Sequence, residues 1–189
     1  MTRSSALALV TLIVLSFVGV ALARDVSGVH FDEQVTLDGT TLVLNGAGVR
    51  HVTIFGIEVY AAGLYVPAAT HDATVVLDDA TPRELVAVMK RDVGSDQIGP
   101  AFREAIERAA GTPSASLRAE IASFASWLPA MRERDRLVVT YSPEHGLVVR
   151  APSASAPFHG SAALARAVFG MWLGTHPVED SLRAALLGS

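Results

Sequence analysis

The 189-residue chain contains no cysteine. That absence excludes Cys-ligated zinc, iron–sulfur clusters, a thiol nucleophile, a disulfide framework and an acylated cysteine. Charge is scarce as well. Asp, Glu, Lys and Arg make up 18 % of the residues, against roughly 25 % in ordinary globular chains, and Lys90 is the only lysine. A formal net charge of −4 and a pI near 5.8 provide no basic face for nucleic acid. The histidines (His30, His51, His71, His145, His159 and His176) offer no i,i+2 or i,i+4 pair that would place two imidazoles on one metal. Nucleophile elbow, P-loop and dinucleotide fingerprint are all missing. No metal and no cofactor is expected.

What the chain has in quantity is apolar residues, 50 % of the total, with a mean hydropathy of +0.38. Part of this excess sits at the N-terminus. One basic residue, Arg3, precedes an uncharged apolar run that ends in Ala21-Leu22-Ala23, with Arg24-Asp25 directly after. This is the layout of a secretory leader, and the small-x-small tripeptide places the cut after Ala23. An uncleaved anchor is the competing reading, since twenty uncharged residues just span a bilayer; the minimal basic flank favours cleavage. The expectation is a signal peptide over 1–23 and one exported, periplasmic domain over 24–189, with no membrane anchor after cleavage. A domain of that length buries a full core without disulfides.

Within that domain, Val35–Leu37 and Thr41–Leu44 flank Asp38-Gly39 and read as a hairpin. Asn45-Gly46-Ala47-Gly48 reads as a second turn, with Val49–Phe55 and Ile57–Val66 as strands around Gly56. Neither face of Ile57–Val66 is polar, which predicts a strand covered on both sides. Val75–Leu77 is a further strand candidate, and Asp78-Asp79 reads as a solvated turn. Thr81-Pro82-Arg83-Glu84 has the form of a capping box and predicts a helix to about Arg91. Helical spacing continues over Ser95–Ala110, closed by Gly111, and over Leu117–Met131. Leu137–Tyr141 and Leu147–Arg150 form a second hairpin, residues 151–157 a loop, and 160–173 and 178–187 two final helices. Without regular βαβ alternation, the fold class is α+β: an antiparallel β-sheet covered by a layer of helices.

Among single residues, Trp127 and Trp172 fall on apolar helix stripes and read as core. Arg50 is more distinctive, because it opens a stretch of Val, Ile and Phe. It is either a surface arginine at a strand end or a guanidinium at the mouth of an apolar cleft, placed to bind a carboxylate or enolate bidentately.

The stretches Leu44-Asn45-Gly46-Ala47-Gly48-Val49-Arg50 and Phe55-Gly56-Ile57-Glu58-Val59-Tyr60-Ala61-Ala62-Gly63-Leu64-Tyr65 resemble the opening motif of the chalcone isomerase superfamily. Gly99-Pro100-Ala101-Phe102-Arg103 falls in register with its middle, and Trp172-Leu173-Gly174-Thr175-His176-Pro177 with Leu182 to Gly188 resembles its closing helix pair. The resemblance covers about residues 28–188, and Trp-Leu-Gly resembles the bacterial exported branch. It implies an antiparallel sheet under helices. It also implies that Arg50 matches the strand arginine that stabilises phenolate and enolate in the plant enzymes. The family's other polar site positions fall on Tyr60 (a threonine there), Phe102 (tyrosine), Ala109 (asparagine), Met171 (threonine) and Val93 (lysine), so one of six is retained.

By the same resemblance, non-catalytic relatives bind fatty acids with this arginine at the carboxylate. The expected function is therefore non-catalytic binding of a small apolar acid, such as a fatty acid. Arg50 is the charge partner and Tyr60 a hydrogen-bond donor; Val59, Phe102, Ile106 and Met171 line the cavity. No catalytic residue is assigned. Two alternatives remain at this level: an isomerase (intramolecular lyase) acting on an enone, with Arg50 at the enolate and Tyr60 as proton donor, or an interaction module with a filled core in which Arg50 pairs with a carboxylate such as Glu58. Ligand identity and oligomeric state are not written in the sequence.

Overall fold

In a computed structural model, residues 24–52 and 56–189 are described; the leader reading and the strand residues 53–55 lie outside them. Among the described residues, seven strands form one antiparallel sheet whose spatial order follows the chain. They are β3 (Gln34–Leu37), β4 (Thr40–Val52), β5 (Ile57–Val66), β6 (Arg83–Met89), β7 (Arg136–Ser142), β8 (Gly146–Arg150) and β9 (Phe158–Gly160). A separate hairpin of β1 (Arg24–Val26) and β2 (Val29–Phe31) precedes them. The helices are α1 (Ala73–Val76), α2 (Ser95–Ala110), α3 (Ala115–Trp127), α4 (Ala162–Leu173) and α5 (Asp180–Leu186). This is the α+β architecture expected.

Period-2 alternation assigns the two faces of the sheet. Tyr60, Ala62, Leu64 and Val66 of β5 join Leu85, Ala87 and Met89 of β6 and Leu137, Val139 and Tyr141 of β7 in the main core, packed against α2 to α5. The opposite face gathers Ala61, Tyr65, Val86 and Val88 around Phe31 and Leu42. Gly63 admits the Phe31 ring there, since a Cβ would come within 2.6 Å of it. Strand β5 is buried from Tyr60 to Val66, as its two apolar faces predicted.

Four local expectations are corrected. Asn45-Gly46-Ala47-Gly48 is no turn but the middle of the thirteen-residue β4. Its glycines exist because α5 lies on them: a Cβ at Gly46 would stand 2.7 Å from the Leu186 carbonyl oxygen and closer still to that of Ala185, and one at Gly48 2.6 Å from the Ala185 Cβ. Asn45 completes the joint, donating from Nδ2 to the Leu186 carbonyl at 2.8 Å and accepting the Thr70 N–H at 2.7 Å. Second, the helix predicted over 81–91 is strand β6. A central strand buried on both faces is a continuous apolar run, and Leu85, Val86, Val88 and Met89 satisfy helical spacing equally well. Third, the strand predicted at Val75–Leu77 is the short helix α1, started by the Asp72 carboxylate, which accepts the Thr74 N–H. Finally, α3 stops at Trp127, before Pro129; Met131 instead bridges Val93.

Candidate functional site

At one end of the sheet, register places Arg50 of β4, Tyr60 of β5 and Met89 of β6 side by side. α2 crosses above them. Gly99 brings it close to α3, because a Cβ there would stand 2.7 Å from the Ala125 carbonyl oxygen. Between sheet and helix lies a cavity of about 390 Å³, within the ~300–1,000 Å³ usual for small-molecule sites. Its walls are apolar: Val52, Val59, Ala87, Met89, Ile98, Phe102, Ala105, Leu137, Met171 and Val178 among them. Polar groups gather at a few points, namely Arg50, Tyr60 and, on the exposed rim, Arg91, Asp92 and Gln97.

Arg50 does not hang free. Its Nη1 donates to a Glu179 carboxylate oxygen at 3.0 Å and to the His51 carbonyl. Glu179, just before α5, also accepts the His51 backbone N–H at 2.7 Å, meets the His51 ring Nδ1 at 3.2 Å and accepts the Ser181 hydroxyl. Burial pushes the Glu179 carboxyl up, but the donors from Ser181, His51 and Arg50 outweigh it and hold the group below the ordinary carboxylate range. The partner proposed from sequence, Glu58, lies elsewhere, accepting the Ser27 hydroxyl at 2.6 Å and facing Lys90 at 3.7 Å.

Tyr60 is buried, and its hydroxyl oxygen accepts the Trp172 indole N–H at 2.9 Å. With that lone pair engaged, the phenolic proton is available to an acceptor in the cavity. Burial lifts the Tyr60 pKa to about 12 against the pull of Trp172 and Arg50. Trp172 is thus the core residue expected and also a polar support for the site, a role helical periodicity does not signal. Phe102 stands edge-on to Trp172 and Phe124, with ring centroids 6.1 and 6.3 Å apart.

Arg50, Val59, Tyr60, Phe102 and Met171 all line the cavity, and so does Val93. Ile106 does not: it is fully buried one turn beyond Phe102 and packs in the main core. Ala109 is likewise outside the lining, facing Gly170 of α4. The core beside Arg50 is therefore not filled. Sequence reasoning missed Glu179, Arg91, Asp92 and Gln97. Glu179 lies 129 residues from Arg50, and no local pattern links them.

One other polar cluster invites a catalytic reading. Ser142 donates to Asp38 at 2.7 Å, and the His145 Nδ1 stands 3.0 Å from Asp38 and 3.4 Å from the Ser142 hydroxyl. A hydrolytic triad needs serine and carboxylate on opposite ring nitrogens. Here both meet Nδ1, so the cluster ties two hairpin turns together. Among the described residues, no group of three His, Asp or Glu side chains could hold a metal ion, and no helix is long and apolar enough to cross a membrane.

A helix-covered antiparallel sheet over an apolar cavity that has an arginine and a tyrosine in its lining defines a small-molecule-cavity protein of the α+β class. The chain belongs to the chalcone isomerase-like family, whose model matches residues 23–188. No curated protein matches it. Among solved structures it is similar to a fatty-acid binding protein of Arabidopsis thaliana. That match has a TM-score of 0.67 at 18 % identity, covering 85 % of this chain and 92 % of the plant protein.

Proposed function

We propose that this protein binds, without catalysis, a small apolar molecule bearing a carboxylate, such as a fatty acid. The alkyl chain lies against Phe102, Met171 and Val59, and the carboxylate meets Arg50 and the Tyr60 hydroxyl. The observation that carries this reading is the chemistry of the cavity: apolar walls with two oriented donors at one end. Its volume matches about a dozen groups of the bulk of a water molecule, which suits a medium-length alkyl chain. The structural likeness to a plant protein described as binding fatty acids supports the same class of ligand.

The isomerase alternative has less support. No protein base is placed to take a proton from a substrate: the only carboxylate in the lining among the described residues, Asp92, is on the rim accepting the Glu133 N–H. Burial lifts Tyr60 to about 12, away from the near-neutral value that favours general acid–base work. Export to the periplasm after cleavage behind Ala23 is part of the proposal. N-terminal sequencing of protein from a periplasmic extract should begin at Arg24.

Native mass spectrometry tests the ligand class. Wild-type protein is expected to carry acyl mass adducts and to take up added decanoate; Arg50→Ala is expected to lose both. A wild-type protein that stays ligand-free in decanoate contradicts the proposal.

A further inference from the structure

The cavity's cation is already partnered by the protein itself. Glu179 holds Nη1 of Arg50, the two side chains are only 22 % and 18 % exposed, and Glu179 is itself fixed by Ser181 and by both the backbone and the ring of His51. Glu179 does not line the cavity, although its neighbour Val178 and Arg50 do. It therefore stands behind the guanidinium. Among the described residues, Nη1 makes all the side-chain hydrogen bonds of Arg50, which leaves Nε and Nη2 for a ligand.

This arrangement has two opposed effects on a bound head group. Fixing one edge of the guanidinium orients the other, which favours any acceptor: carboxylate, hydroxyl or carbonyl. The carboxylate behind it offsets part of the positive charge, which reduces the advantage an anion would otherwise have over a neutral acceptor. The remaining cation of the lining, Arg91, is exposed beside Asp92, where solvent and salt screen it.

We propose that Glu179 is a specificity-determining residue of the cavity, setting the balance between acidic and neutral head groups by compensating Arg50 from behind. This rests on the ligand-binding reading above. The site accepts amphiphiles through oriented N–H and O–H donors, and the carboxylate ligand is favoured over its alcohol far less than a lone buried arginine would favour it. Glu179 acts through Arg50 and is a positioning residue.

The test compares the affinities of decanoate and decan-1-ol by tryptophan fluorescence or calorimetry at neutral pH. In Glu179→Gln, which keeps an acceptor for Arg50 and His51, the acid-over-alcohol affinity ratio should rise roughly tenfold, the effect of one charge a few ångströms away in a partly wet site. Glu179→Ser, a residue suited to the start of α5, removes the same charge and should shift the ratio the same way if the glutamine variant folds poorly. Glu179→Asp, which keeps the charge, should keep the wild-type ratio. A ratio that does not move in Glu179→Gln or Glu179→Ser while both ligands still bind overturns the role of Glu179 and leaves the ligand-binding reading standing. Failure of wild-type protein to bind either ligand overturns that reading, and this inference with it.

Discussion

Tyr60 and Trp172 show how much one hydrogen bond can organise. The indole N–H is buried and has the Tyr60 oxygen as its partner, so Tyr60→Phe strands a donor as well as removing the ligand's. Leaving a buried donor unsatisfied costs about 1–3 kcal/mol. The variant should lose that much stability in urea unfolding, and roughly tenfold in decanoate affinity if the hydroxyl donates to the head group. An unchanged affinity would assign Tyr60 a purely structural role. Burial also lifts Tyr60 and Tyr65 to about 12. The unfolded chain ionises both near 10, so the contribution of these two tyrosines is complete below pH 10 and declines as pH rises from there toward 12. Glu179 has the opposite sign. Its folded pKa lies below the ordinary 4.5, so its contribution is present above that value and fades as pH falls through the lowered one. The stability gap between wild type and Glu179→Gln should accordingly shrink on acidification from pH 6 to pH 3.

At the scale of elements, the joint between β4 and α5 fixes where Arg50 and Glu179 meet. Gly46 faces backbone carbonyls that cannot swing away, so Gly46→Ala should cost at least ~2 kcal/mol by overpacking. Chemical denaturation checks this, with a near-neutral result contradicting the tight joint. A second anchor is Arg83, fully buried at the start of β6. Its Nη1 donates to the carbonyls of Asp78 and Thr81 at 2.9 Å, and its guanidinium lies over the rings of Tyr141 and Phe169. Among the described residues its Nε and Nη2 find no hydrogen-bond partner, so the ring faces are what meets the rest of the guanidinium. Burial draws its pKa down to about 10, so it stays charged at neutral pH. Arg83→Ala opens a void and frees two carbonyls, whereas Arg83→Met refills the volume; the alanine variant should be the less stable by about 2 kcal/mol. Equal stabilities would show that the loop contacts, not the packing, dominate.

These elements also show what local pattern can and cannot convey. The hairpin at Asp38-Gly39, helix α2 closed by Gly111 at φ +67° and the closing helix pair were legible because turn chemistry and helical spacing are short-range signals. Strand β6 was not, since burial on both faces erases the alternation that marks a strand. Asn45 to Gly48 has the composition of a turn, and only the approach of α5, some 140 residues later, explains those glycines. The same distance hid Glu179. The candidate site was legible at Arg50, Tyr60, Phe102 and Met171, the positions a family resemblance marks. Ile106, expected among the cavity-lining residues, lies one turn too far into the core.

For the whole molecule, scarcity of charge and cysteine has a structural counterpart. The chain relies on a two-sided sheet and a helical layer, and it keeps a hollow of about 390 Å³ where a packed core would have been more stable. An apolar hollow with two oriented donors at one end is the central feature, and binding an apolar acid there is the central claim. Its most direct test is NMR of decanoate labelled with ¹³C at the carboxyl, added to wild-type and Arg50→Ala protein. The account predicts a distinct bound carboxyl resonance in the wild type that disappears, or returns to the free position, without Arg50. The same bound resonance in both proteins, or none in the wild type, would contradict it.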